Sequence, residues 1–78
     1  MTRPITRKMK LTMVRDTVDG IDRIGCRATG IHKGHHIERT AWQPVMDFTD
    51  KSFDWLETLA KGRYAEETRI IDGQNNKI

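Results

Sequence analysis

The sequence predicts a small α+β domain: a three-stranded antiparallel sheet packed on one main C-terminal helix. Three observations predict it. Apolar and polar residues alternate through the first half of the chain, the signature of half-buried strands. Two glycine-containing turns divide that half. A helical period begins only after Pro44. A chain of 78 residues suits a single domain spanning residues 1–78.

Residues 1–7, "MTRPITR", show no periodicity and read as a flexible basic arm, with Pro4 discouraging regular structure. From Lys8 onward, Met9, Leu11 and Met13 alternate with Lys8, Lys10 and Thr12, which predicts the first strand. Asp19-Gly20 follows as a hairpin turn, because glycine accepts positive φ at little cost. In the second strand Ile24, Cys26 and Ala28 fall on one side and Arg23, Gly25, Arg27 and Thr29 on the other. Lys33-Gly34 sits where a second hairpin needs its turn. The third strand, about 36–43, turns Ile37 and Ala41 inward and Glu38, Thr40 and Trp42 outward. Arg39 interrupts the inward pattern, so this strand is expected at an edge or bulged. Pro44 ends it, since proline donates nothing to the ladder.

A helix is predicted over residues 50–61, within "MDFTDKSFDWLETLAKG". Thr49 is the expected N-cap, and Phe48 and Phe53 stand at the spacing of a hydrophobic staple. Asp50 suits the positive end of the helix dipole. Phe53, Leu56 and Ala60, flanked by Trp55 and Leu59, form the apolar stripe. Gly62 is the expected C-cap. "RYAEETRIID" is open between a short extra helix and a last strand, and residues 73–78, "GQNNKI", read as a frayed tail. Three strands with one apolar face need a cover, which the helix supplies.

A chain this short buries only about 60–65% of its unfolded surface, so a thin core is expected and a deep substrate cavity is not. Cys26 is the single cysteine, which excludes an internal disulfide and suits a reducing, cytoplasmic setting. No apolar run is long enough to span a membrane, and Leu11–Val14, broken by Thr12, is too short for the core of a signal peptide. Arg3, Arg7, Lys8, Lys10 and Arg15 precede any acid, a charge bias shared with transit peptides, but their spacing fits a strand better. The net charge of +3 is uneven. Residues 1–40 hold nine Lys/Arg and four Asp/Glu, and residues 41–78 hold five and seven. Such asymmetry points to a polyanionic or acidic partner.

His32, His35 and His36 share one stretch, "GIHKGHHIERTAW", and with Cys26 are zinc-ligand types. They lack the paired spacing of a zinc site, so no metal or other cofactor is expected. A buried Cys26 and water-exposed turn histidines are expected instead, the histidines adding charge below about pH 6.5. No nucleophile–base spacing matches a catalytic signature, and Asp16, Asp19 and Asp22 read as turn chemistry. No calcium loop or glycine-rich phosphate loop is present. A non-enzymatic binding module without catalytic residues is the expectation.

The richest feature is the outward sheet face, with Lys8, Lys10, Thr12, Arg23, Arg27, Thr29, Thr40 and Trp42. Bases neutralise phosphates, and Arg or Thr reach base edges. Trp42 stacks on an unpaired base if it faces outward, or joins the core if it turns under the edge. The expected binding residues are Lys8, Lys10, Arg23, Arg27, Thr29, Trp42 and, at the turn, Lys33. The bland alternative is a solvated face, as antiparallel sheets commonly have. In element order the chain is similar to the arm-type DNA-binding domains of phage integrases and to plant AP2-type domains. Both read DNA with a sheet, so the resemblance implies nucleic-acid binding, in a regulatory role. The alternative is an inhibitor or adaptor of phage or mobile-element type that blocks a host protein or nucleoprotein complex, with the basic face on an acidic protein surface. Neither role involves a membrane. A homodimer through the edge strand, or through Met46, Phe48 and Tyr64, is compatible with both.

Overall fold

The structure, a computed structural model, describes residues 7–75. Three strands, β1 (Arg7–Val18), β2 (Ile21–His32) and β3 (His35–Pro44), form one antiparallel sheet in the order β1-β2-β3. A 3-10 turn (Val45–Asp47) leads into one long helix, α1 (Ser52–Asn75). The architecture is the expected α+β arrangement of an open sheet packed on a C-terminal helix. The arm and tail expected over residues 1–7 and 73–78 lie mostly outside the described residues. Arg7 already belongs to β1, and residues 73–75 belong to α1.

Both hairpins close through two residues. Val18 pairs with Ile21, and His32 with His35. Asp19 and Gly20 have φ of 52° and 78°, and Lys33 and Gly34 have 50° and 83°. Two successive positive φ values mark type I′ turns, whose twist matches that of the flanking strands. Once the turns are set, the register follows. It places Met13 beside Cys26 and Ala41, and Leu11 beside Ala28, all on the inward face.

That face and one stripe of the helix make the core. Cys26, Ala28, Ile37 and Ala41 are buried against Leu56, Ala60, Tyr64 and Ile71. Met9, Leu11, Ile24, Phe48 and Leu59 pack around them. The small side chains of Ala28, Ala41 and Ala60 let the helix approach the sheet closely. The helix lies across β3 and β2 and touches β1 only marginally. Met13, on the inward row of β1, therefore stays 38% exposed. Arg39 also points inward, but β3 is an edge strand. Its Nη1 donates to Glu67 Oε2 on the helix flank at 3.0 Å.

The start of the helix carries the expected caps. Ser52 Oγ accepts from the Thr49 N–H at 2.8 Å, and Thr49 Oγ1 accepts from the Lys51 N–H at 3.3 Å. Ser52 thus supplies the returning arm of a capping box, while the Thr49 hydroxyl takes Lys51 instead of Ser52, and α1 begins at Ser52, two residues past the expected start. Phe48 and Phe53 meet edge to face, 4.9 Å between centroids, as the staple spacing predicts. Phe53 and Trp55 nevertheless stay exposed, so the buried stripe is narrower than expected. Phe53 packs on Phe48 rather than on the sheet, and Trp55 lies a quarter-turn or more from Leu56.

The main correction concerns the other end. The helix does not stop at Gly62 but runs through the ambiguous segment to Asn75. Tyr64 and Ile71 continue the stripe begun by Leu56 and Ala60, and their burial outweighs a glycine penalty of about 1 kcal/mol. A side-chain carbon on Gly62 would meet nothing within 4 Å. Gly62→Ala is therefore expected to stabilise the protein by about 0.5–1 kcal/mol. A rise in the urea midpoint checks this, whereas a helix-ending glycine would give a fall. Leu56, with no exposed surface, should lose about 2–5 kcal/mol on truncation to Ala in the same assay.

Candidate nucleic-acid interface

Paired residues in antiparallel strands share a face, so the register defines the outward rows. They are Asp16–Arg23–Pro44, Val14–Gly25–Trp42, Thr12–Arg27–Thr40 and Lys10–Thr29–Glu38, followed by Ile31–His36 on β2 and β3. Lys10, Arg23, Arg27, Thr29 and Trp42 are thus brought onto one surface. Lys8 joins them at an irregularity. Between Arg7 and Lys10 the β1 register slips by one residue against Ile31 and Thr29, which is a β-bulge. A depression of about 230 Å³ opens there, lined by Lys8, Lys10, Thr29, Gly30, Ile31 and His36. Lys8, Lys10 and His36 are exposed. Neither lysine has an ion-pair partner among the described residues.

The other end of the face is arranged differently. Trp42 lies on the outward surface, half-buried and seated over Gly25. A Cβ at Gly25 would come within 2.8 Å of Trp42 Cε3 and 2.5 Å of the Ala41 carbonyl oxygen. The missing side chain is what makes the seat. The Arg23 guanidinium sits 4.3 Å from the Trp42 ring centre, a cation–π contact. Arg23 also donates twice to Asp16, from Nε to Oδ1 at 2.8 Å and from Nη2 to Oδ2 at 2.6 Å. Those hydrogen bonds hold the Asp16 carboxyl below its ordinary range and raise the Arg23 guanidinium further. Arg27 is only loosely compensated. Its Nε lies 3.4 Å from Glu38 Oε1, within ion-pair reach, yet it is buried without a hydrogen bond. The face is therefore cationic at the bulge and close to neutral around Trp42.

Lys33 is not part of this surface. From the β2–β3 turn its Nζ reaches Asp72 Oδ1 at 2.7 Å, on the last turns of the helix. His32 Nε2 lies 2.8 Å from the same oxygen. Lys33 first, and His32 second, hold the Asp72 carboxyl below its ordinary range. This corrects the reading of the histidines as water-exposed. His35 and His36 are exposed, but His32 is half-buried, because the longer helix brings Asp72 beside it. Cys26 points inward and is a free thiol. Burial pushes its pKa up, and Glu57 adds to the effect. Among the described residues, no three His, Cys, Asp or Glu side chains gather as metal ligands.

Reading the sequence for bases and aromatics missed Asp16, Gly25 and His36. Asp16 was accessible in principle. A two-residue turn at Asp19-Gly20 forces 16 opposite 23, as 18 lies opposite 21. A glycine inside a strand pattern is likewise a sign of close approach.

Gly25→Ala should cost about 1–3 kcal/mol by overpacking. In a Trp55→Phe background it should also red-shift the emission of Trp42, then the sole tryptophan. The two depressed carboxyls give an acid limit. A folded pKa below the usual 3.8 adds stability above that value and loses it as pH falls through the lower folded value. Stability should thus drop below about pH 4, and Asp16→Asn/Asp72→Asn should make that drop shallower in urea titrations across pH 2–5. No family model, curated protein or solved structure matches the chain, so the reading of this face rests on its own geometry.

Proposed function

We propose that this protein is a non-enzymatic module that binds nucleic acid through its outward sheet face. The observation that carries the reading is charge segregated by layer. Residues 7–44, the sheet, contain eight Lys/Arg and four Asp/Glu; residues 52–75, the helix, contain three and five. The acidic layer backs the sheet, and the outward rows hold Lys8, Lys10, Arg23 and Arg27 against Asp16 and Glu38, with no described element covering them. Lys8 and Lys10 project beside a depression roomy enough for a phosphate, with the Thr29 hydroxyl and His36 at its wall. Neutralising phosphates there releases counterions and fixes the register of the module on the strand. Arg27, with its loosely held guanidinium, and the hydroxyls of Thr12 and Thr40 continue the surface toward Trp42. A free, buried Cys26 suits a reducing, cytoplasmic setting. No helix among the described residues is long and apolar enough to cross a membrane.

A second reading, an inhibitor or adaptor that binds a host protein, draws on a different surface. Ile21 and Met46 are 52% and 87% exposed, and with Gly20, Asp22 and Val45 they line a depression of about 340 Å³ at the β1–β2 turn. Exposed apolar side chains around a depression favour a protein contact over a phosphate.

Fluorescence anisotropy with labelled random-sequence duplex and single-stranded DNA at about 50 and 200 mM salt separates the two, since phosphate binding weakens steeply over that range. Binding that falls with salt is expected. Lys8→Ala/Lys10→Ala should lower the slope of log affinity against log salt by about two. Absence of binding to either DNA at the lower salt would overturn the proposal. A protein partner retained after nuclease treatment would then favour the adaptor.

A further inference from the structure

We infer that Arg23 is a base-reading residue, held by Asp16 and Trp42 so that its free guanidinium edge meets a guanine in the major groove of duplex DNA. The inference rests on the nucleic-acid reading above and names what one part of that face recognises.

The geometry of Arg23 carries it. A guanidinium has five N–H donors in a rigid fork. Asp16 takes the Nε hydrogen and one Nη2 hydrogen. The remaining donors lie along the Nη1/Nη2 edge, the pair that matches O6 and N7 of guanine in a bidentate contact. The side chain is also ordered from three directions. β1 supplies Asp16 beside it, β3 supplies Trp42 against it, and Gly25 on its own strand supplies the seat under Trp42. A long side chain fixed before binding loses little further freedom when it binds.

Charge decides between phosphate and base. The carboxylate of Asp16 neutralises Arg23 and repels a phosphate, which leaves an uncharged acceptor pair as the favourable partner. Lys8 and Lys10, without an ion-pair partner among the described residues, have the opposite preference. Thr29, in the Lys10 row, is six residues along β2 from Arg23, a distance of about 20 Å. Phosphate anchoring and base reading thus fall at opposite ends of one face. Arg23 stands in the row where β3 ends at Pro44, near the open end of the outward face.

A purely stabilising ion pair explains less. Pairing with Asp16 accounts for one edge of the half-buried guanidinium and leaves the Nη1/Nη2 edge unused. Trp42 and Gly25 lie outside the helix–sheet core, yet Gly25 makes room for the indole that stacks on this guanidinium.

The test measures the affinity of the full chain, at one salt concentration, for three duplexes of equal length. One contains only A·T pairs, one contains G·C pairs, and one carries 7-deazaguanine in place of guanine, which removes N7 and leaves phosphates and pairing intact. The wild type should prefer the G·C duplex by roughly tenfold or more, and the 7-deaza duplex should lose that preference. Arg23→Ala and Arg23→Lys should both keep the far-UV circular dichroism of the wild type, which reports that they fold. Both should lose the preference for guanine, since lysine keeps the charge but not the fork. Equal wild-type affinity for all three duplexes would overturn the inference, as would a guanine preference that survives in both variants. Loss of binding to every duplex at low salt would instead overturn the nucleic-acid reading itself.

Discussion

A single helix has to seal one face of a three-stranded sheet, and the rest of the structure follows from how closely it does so. Small residues on β2 and β3, Cys26, Ala28 and Ala41, meet Ala60 and Leu56 with almost no surface left exposed. A close seat gives dense packing, which is where a thin core finds its stability. A helix is about 10 Å across, and two strands span about that width. The helix therefore covers β2 and β3 and leaves β1 overhanging, with Met13 half in water.

The same constraint frees the other face. With the single helix committed to one side, nothing in the described chain covers the outward rows. Polar residues there are free to do work that packing does not ask of them. They divide into two kinds of surface. At the bulge, lysines stand beside a depression with no ion-pair partner among the described residues. Near the first hairpin, an arginine is neutralised, oriented and stacked. Seating Trp42 over Gly25 half-buries the indole and puts it against Arg23.

The length of the helix ties the two layers together at their far end. Past Gly62 the apolar stripe resumes with Tyr64 and Ile71, and the polar flanks find partners on the sheet: Glu67 with Arg39, Asp72 with His32 and Lys33. Arg63 adds a hydrogen bond from Nη1 to the Thr40 carbonyl at 2.7 Å. These contacts are long-range, and they draw into structural roles two residues, His32 and Lys33, whose residue types alone suggested ligand binding.

Sequence alone determined the strands, the two turns, the inward and outward rows, the presence of the helix and its staple. Each depends on local period or turn chemistry: alternation for Met9 to Met13, positive φ at Asp19-Gly20 and Lys33-Gly34, capping at Thr49. Local signals misjudged the helix end, because a glycine that reads as a stop is overruled when residues beyond it have a sheet to pack on. They also could not separate Lys33 from Lys10, or tell that Arg23 is paired while Lys8 has no ion-pair partner among the described residues, since a base in a sequence carries no record of its counter-ion. Tertiary structure decided those points, along with the seat of Trp42. Each involves residues far apart in the chain, and only the register of the sheet and the placement of the helix bring them within reach.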